Sequence, residues 1–277
     1  MRTEPLIHTA FYRFVRIADT ARTAVALREL TRELLGVVLV AGEGINGTLA
    51  GTASCIARFE RALVEDARFE ALFAGIDFKH SACTTPPFQR MKVHERPEIL
   101  PMGIANIDAV NRRGIQLDPR QWRELLDADD VVLIDNRNSF EHRLGRFRNA
   151  IDPQVGNFRD LPQFVEANAP QWKAEGKRVA MYCTGGIRCE KTAVWMHDLG
   201  IEVHQLEGGI LRYLAETPDA QVDWQGECFV FDNRIALDAH LQETPTTAQD
   251  VYASSPDEAW RLQRALRLAA AKEDDEA

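Results

Sequence analysis

Two continuous apolar runs, 131–135 (VVLID) and 178–183 (RVAMYC), with a shorter one at 203–206, constrain the second half of the chain. Neither long run alternates apolar with polar residues, so each reads as a strand covered on both faces. A helical stretch at 190–199 separates the last two runs. Strands of this kind, joined through helices, bury both faces in a parallel sheet between helix layers.

The first ~105 residues have a different texture. Residues 6–17 (LIHTAFYRFVRI), rich in β-branched and aromatic types, predict a strand. Asp19 or Thr20 caps a helix in which Val25, Leu27, Leu30, Leu34 and Leu35 recur at helical spacing until Gly36. Residues 37–41 form a second strand. Gly42 to Gly47 read as a hairpin turn, with Asn46-Gly47 as its turn dipeptide, and 48–51 as the return strand. A helix over 54–69 and extended runs at 76–79 and 91–95 complete a β-α-β-β-α-β order, the ferredoxin-like split βαβ pattern. The chain is thus α+β in its first domain (1–105) and α/β in its second (128–222). A connecting arm (106–127) joins them, with a short helix near its end, and a C-terminal extension (223–277) is expected to be partly disordered.

Composition excludes several classes. With 45% hydrophobic and 27% charged residues in 277, the chain is neither disordered nor fibrous. No apolar run approaches the ~20 residues that cross a bilayer. The opening segment, with Glu4, lacks the pattern of a secretory signal, so the expected compartment is the cytoplasm. Five cysteines without a C-x-x-C pair, and histidines without an H-x-x-x-H pair, give no support to a disulfide framework or a metal site. The net charge of −9 is uneven: residues 1–120 carry 16 basic and 14 acidic side chains, the remainder 17 and 28. An acidic chain disfavours non-specific nucleic-acid binding but leaves room for a local basic patch.

The chemistry-bearing segment is Cys183-Thr184-Gly185-Gly186-Ile187-Arg188, set between an apolar strand and a helix. Main-chain amides and a helix N-terminus converge on a sulfur so placed and favour its thiolate. Arg188 adds a fixed positive charge, and the glycines permit the turns. Four residues separate Cys183 from Arg188, one fewer than in phosphatase loops that surround a phosphoryl group. The tighter ring suits a smaller guest, such as a sulfane sulfur.

This loop resembles that of the rhodaneses. The segment from Leu133-Ile-Asp135-Asn-Arg137 through Glu141 and Gly145 to Ala150-Ile is similar to another rhodanese segment, and Leu206-Glu-Gly208-Gly209 to that family's late glycine turn. In that family Asp135, Arg137 and Glu141 would brace the fold. Phe11-Tyr-Arg-Phe14, Gly42-Glu-Gly-Ile-Asn-Gly-Thr48, Phe88-Gln-Arg-Met-Lys92-Val and Gly226-Glu-Cys-Phe-Val-Phe-Asp232 extend the resemblance, from about 6 to 240, to the bacterial rhodanese-domain tRNA uridine hydroxylases. The resemblance implies a ferredoxin/acylphosphatase-like domain before a rhodanese domain. It implies formation of 5-hydroxyuridine at the tRNA wobble position with molecular oxygen as co-substrate, and Cys183 as the essential residue, with a persulfide as an accessible state. No cofactor is evident, the electron donor is unspecified, and the expected partner is the tRNA anticodon stem-loop rather than DNA or a membrane. Some relatives carry a cysteine-rich C-terminal extension whose metal-dependent role does not carry over.

Thr184, Gly185, Gly186, Ile187 and Arg188 are the expected substrate-binding residues. Arg90, Lys92, His94 and Arg96 alternate and would share one face of a strand. With Arg112 and Arg113, and with Arg143, Arg146 and Arg148, they are candidates to hold tRNA. Phe88 or Tyr182 could stack a splayed base. Cys189 is either a resolving thiol or a packing residue, while Cys55, Cys83 and Cys228 read as packing. Two alternatives stay open: a thiosulfate-type sulfurtransferase carrying a cysteine persulfide, and a non-enzymatic binding module.

Overall fold

The computed structural model describes residues 5–276, with side chains placed as far as Arg267. Glu4 lies outside the described residues, as do the side chains of the charged end at 272–277.

The first unit comprises β1 (Leu6–Phe14), α1 (Thr20–Leu30), β2 (Leu35–Ala41), β3 (Gly44–Thr52), α2 (Ala53–Glu65), β4 (Asp77–Cys83) and β5 (Met91–Glu95). Its sheet order is β4-β1-β3-β2-β5, the split βαβ arrangement with a fifth strand added parallel to β2. Phe11, Leu27, Val38, Leu49, Phe59 and Leu63 fill the layer between sheet and helices. α1 stops earlier than its apolar spacing suggested: the Thr31 hydroxyl donates to the Leu27 carbonyl (2.7 Å), and the chain turns before Leu34. Leu34 still reaches the core, from outside the helix, and Leu35 opens β2, whereas Val25 is exposed. The hairpin turn is also shorter than expected. Only Gly42 and Glu43 make it, and Asn46-Gly47 lie within β3. Gly47 serves close approach instead, since a Cβ there would come within 2.4 Å of the Phe11 ring.

The second unit comprises β6 (Ile115–Leu117), α3 (Pro119–Leu126), β7 (Val131–Asp135), α4 (Ser139–Leu144), β8 (Gly145–Phe147), α5 (Leu161–Ala174), β9 (Arg178–Tyr182), α6 (Ile187–Asp198), β10 (Val203–Leu206) and α7 (Gly209–Glu216). β6, β10, β9 and β7 form a parallel sheet in that order. β6 and α3, left in the connecting arm by the sequence, belong to this unit. α3 has a capping box at Asp118 and Gln121, and its Trp122, Leu125 and Leu126 close one face of the sheet with Ile210 and Tyr213 of α7. Leu161, Val165 and Trp172 of α5 cover the other face with Ala193 and Met196 of α6. Alternation along β9 sends Val179 and Met181 toward α5 and α6, and Ala180 and Tyr182 toward α3 and α7.

The C-terminal extension, expected to be partly disordered, is built into the fold through β11 (Trp224–Gly226), β12 (Cys228–Phe229), β13 (Ala236–Leu237), α8 (Ala248–Tyr252) and α9 (Ala259–Glu276). β11 pairs with β8, and buried Trp224 and Cys228 join the core under α3 and α7. The segment then returns to the first unit. Asp232 stands 3.5 Å from His8, the Asn233 amide donates to the Pro87 carbonyl (3.1 Å), and Glu243 accepts from the Thr84 amide (2.6 Å). Burial and the Arg234 charge push His8 down to about 4.

α6 joins the two units. Its Ile187 and Val194 pack with Phe14, Ala41, Ile99 and Ala109. The ammonium of Lys191, 2% exposed, donates to Glu43 (3.0 Å), to Glu98 and to the Leu100 carbonyl (2.9 Å). Glu43, in the two-residue turn, also accepts from the Ile99 amide. Removing one partner of a buried ion pair costs about 3–5 kcal/mol because the other charge is left uncompensated. The carboxylates left behind are partly exposed, so Lys191→Met should lower stability by about 1–2 kcal/mol, read as a lower urea midpoint, with accelerated proteolysis between the units. An unchanged midpoint would mean that the clamp carries no load.

Candidate active site: the cysteine loop

β9 delivers Cys183 to the carboxyl end of the parallel sheet, and α6 begins four residues later. Gly186 caps the helix at φ +100°, a conformation that suits a residue without Cβ. Its amide donates to Cys183 Sγ at 3.2 Å. The glycine turn after β10 supports the loop from behind: the Ile210 and Leu211 amides donate to the carbonyls of Cys183 (3.0 Å) and Thr184 (3.1 Å). Gly209, at φ +67°, lies so close to the loop that a Cβ would stand 2.5 Å from the Cys183 carbonyl. That contact gives the second rhodanese-like motif its physical reason.

Burial works to raise the pKa of Cys183, but the hydrogen bond from the Cys189 thiol, the charge of Arg188 and the amides of Cys189 and Arg188 outweigh it. The thiol is drawn down to about 5. Cys189 moves the opposite way, well above an ordinary thiol, through burial and its donation to Cys183. Cys189 is buried, and Asn136 Nδ2 reaches both its sulfur (3.8 Å) and the Thr192 hydroxyl (3.0 Å). Burial raises Cys83 to about 11 and Cys228 to about 12, as expected of packing thiols.

Arg188 is fixed by Glu141, each Nη donating to one carboxylate oxygen at 2.8 Å, and its Nη2 also reaches the Thr184 hydroxyl (3.3 Å). Glu141 is thus more than a brace of the fold, since it positions the charge beside the sulfur. Asp135 and Arg137 form the neighbouring buried layer. Arg137 donates to both Asp135 oxygens (2.8 and 2.6 Å) and to the Gly145 carbonyl (2.6 Å). The Tyr182 hydroxyl donates to Asp135 at 2.7 Å, and Tyr182 is fully buried, so it cannot stack a base.

The sulfur lies deep, with Cys183 1% exposed, while Thr184, Gly185 and Ile187 at the crest are half-buried. A Cβ on Gly185 would meet nothing within 4 Å, so the crest is open there. Tyr12 stands against Gly186 and donates to Glu190 at 2.9 Å. Ile187 points into the apolar contact with the first unit rather than toward a ligand. Beside Tyr12 runs a cleft of about 510 Å³ between the units, lined by Arg13, Phe78, Lys79, Arg113, Glu190 and Arg212 among others.

The basic candidates do not form one cluster. Val93 of β5 joins the helix-side core, so Lys92 and His94 face the other way, with Arg90 and Arg96 exposed at the strand ends. Arg113 lines the cleft, 3.5 Å from Glu190. Arg112 pairs with Asp198 (2.6 Å) at the far end of α6, roughly 15 Å from the loop at 1.5 Å per residue. Arg146 is half-buried on β8, whereas Arg143 pairs with Glu258, and Arg148 with Asp223 and Asp127. Phe88 stacks against His8 at 6.0 Å. Tyr12, Glu43 and Phe231 were singled out only as members of longer motifs; contacts between distant segments give them their places.

A small alkylating reagent should react with Cys183 with a midpoint near pH 5, far below the ~8.5 of a free thiol. Arg188→Gln should move that midpoint upward by about one unit or more, a unit of pKa being about 1.4 kcal/mol of lost charge interaction. A midpoint at the free-thiol value in the unaltered protein would remove the thiolate reading.

Comparison with known proteins agrees with this architecture. Residues 6–99 match the UPF0176 acylphosphatase-like domain and residues 118–216 the rhodanese-like domain. A tRNA uridine(34) hydroxylase of Synechococcus elongatus is 44% identical over 259 residues, covering 90% of this chain and 94% of that one. The protein of the same name from Mesorhizobium japonicum is 41% identical over 244 residues, covering 87% and 77%. Among solved structures, a rhodanese-related protein from Thermoplasma volcanium aligns with 37% of this chain and 93% of its own, at 21% identity and a TM-score of 0.28. With identities of this size carried through both units and into the C-terminal extension, the chain belongs to the tRNA uridine(34) hydroxylase family.

Proposed function

We propose that the protein is an oxidoreductase that converts the wobble uridine, position 34 of tRNA, to 5-hydroxyuridine, with Cys183 as the essential residue. Membership of the hydroxylase family supports the substrate and the reaction type. The geometry that carries the role of Cys183 is a sulfur at the carboxyl end of a parallel sheet, accepting from the Gly186 amide (3.2 Å) beside the buried Arg188 guanidinium, surroundings that favour its thiolate. A sulfur drawn down to about 5 is ionised at neutral pH and can attack, carry or release another atom.

In the balanced reaction one atom of dioxygen enters the uracil C5–H bond. The other leaves as water, taking two protons and two electrons from an external reductant. The anticodon stem-loop is the part of the tRNA that presents a splayed base, since loop nucleotides can leave their stack at modest cost. The exposed Arg90, Lys92 and Arg96 are available to its phosphates, and Arg113 lines the cleft in a loose 3.5 Å pair with Glu190. Arg112 and Arg146 are weaker candidates, one being paired and the other half-buried. The cytoplasm, where tRNA is found, is the proposed compartment.

The test is mass spectrometry of tRNA nucleosides from a deletion strain complemented with either form of the gene. The unaltered gene should restore 5-hydroxyuridine and Cys183→Ala should not. Restoration by Cys183→Ala would overturn the role of Cys183. Rapid thiocyanate formation from thiosulfate and cyanide, without any change in tRNA, would instead favour the sulfurtransferase reading.

A further inference from the structure

Beside the cysteine loop the C-terminal extension presents one exposed aromatic side chain. Phe231 is 60% exposed. A single exposed apolar side chain is ordinary on a protein surface; this ring is distinguished by being held in one place beside the cysteine loop. Phe231 is held. Its ring packs edge-on against Phe229 (5.0 Å between centroids) and Phe140 (6.4 Å). The turn that carries it is pinned by the Val230 amide donating to Ile235 (2.8 Å) and by Arg234 gripping the Asp232 carboxylate (2.7 Å).

Its position ties it to the reacting group. The Arg188 guanidinium lies 6.0 Å from the centre of the Phe231 ring, and the same guanidinium reaches Thr184 at the crest of the loop. Glu141 joins both Arg188 and Thr184 from beneath. The other exposed aromatic among the described residues, Trp260, is engaged with Arg261 at 4.4 Å and lies on the C-terminal helix. Tyr182 is buried and so cannot stack a base, whereas Phe88 is half-buried and stacked on His8.

Resting on the function proposed above, we infer that Phe231 is the stacking platform for the extruded pyrimidine, holding its ring over the crest at Thr184 and Gly185. A flat π-face recognises a base as such, while the loop amides and Arg188 present donors to the uracil carbonyl oxygens. Phe231 is in this sense a substrate-binding residue contributed by neither of the two main units.

The experiment compares unaltered protein with Phe231→Ala, Phe231→Leu and Phe231→Trp. Each is titrated with a synthetic anticodon stem-loop carrying uridine at the wobble position and with the same RNA abasic there. Turnover to 5-hydroxyuridine is followed on the first RNA. Phe231→Ala and Phe231→Leu should weaken binding of the uridine RNA and raise KM by about tenfold, the size expected of one lost base–aromatic stack. Phe231→Trp should retain binding, and its indole emission should be quenched by the uridine RNA more than by the abasic one. On abasic RNA all four proteins should bind alike. The pH midpoint of Cys183 alkylation should be the same in all four, which separates loss of a platform from collapse of the loop. Equal binding of the uridine RNA by Phe231→Ala and the unaltered protein, with turnover intact, overturns this inference and leaves the function standing. Unaltered protein that neither binds nor modifies the RNA overturns both.

Discussion

The pair between Glu141 and Arg188 is the contact on which the rest of the site depends. A guanidinium taken out of water is costly unless every donor finds an acceptor and the charge is matched. Glu141 matches the charge and takes two of the five N–H donors in a two-point grip, and Thr184 takes one more. The positive charge then stays beside Cys183 without neutralising it by direct contact. Were Arg188 free to swing toward solvent, burial of the sulfur would favour the neutral thiol. The same carboxylate anchors the start of α4 by accepting from the Asn138 amide, so the charge pair and the local backbone stabilise one another.

Around that pair the molecule is organised by α6. Its N-terminus cradles the thiolate, its apolar side completes the rhodanese core, and its opposite side faces the first unit through Ile187, Glu190, Lys191 and Val194. A displacement between the units is therefore felt at the loop, since Ile187, Glu190 and Lys191, which resist it, lie within two turns of Gly186. Tyr12 makes the connection most directly: it rests on Gly186 and holds Glu190, both in the turn that carries the loop amides.

Much of this was legible in the sequence. The second sheet followed from its continuous apolar runs, the first from β-branched and aromatic runs in a β-α-β-β-α-β order, and the cysteine loop from a strand, four residues and a helix. The misreadings share a cause. Gly42 to Gly47 carry turn residues, yet Gly47 makes room for Phe11, a neighbour across the sheet. Leu34 kept the helical spacing but reached the core from a turn. β6 is three residues long and takes its place from β10, some ninety positions away, which no local pattern encodes. The basic residues spread over the surface because charge alternation along a strand says which side chains share a face and nothing about what stands opposite. Glu43, Lys191 and Glu98 are ordinary charged residues until the fold brings them together.

The C-terminal extension has a consequence for how the second unit is delimited. The rhodanese likeness ends at residue 216, but Trp224 lies 5.4 Å from Arg137 and Cys228 fills the adjoining core. A fragment cut to the family boundary would open the floor beneath the ion pairs to water and weaken the field at the sulfur. The rhodanese-like boundary and the closed core therefore differ, since β11 and the side chains that seal this floor lie beyond residue 216.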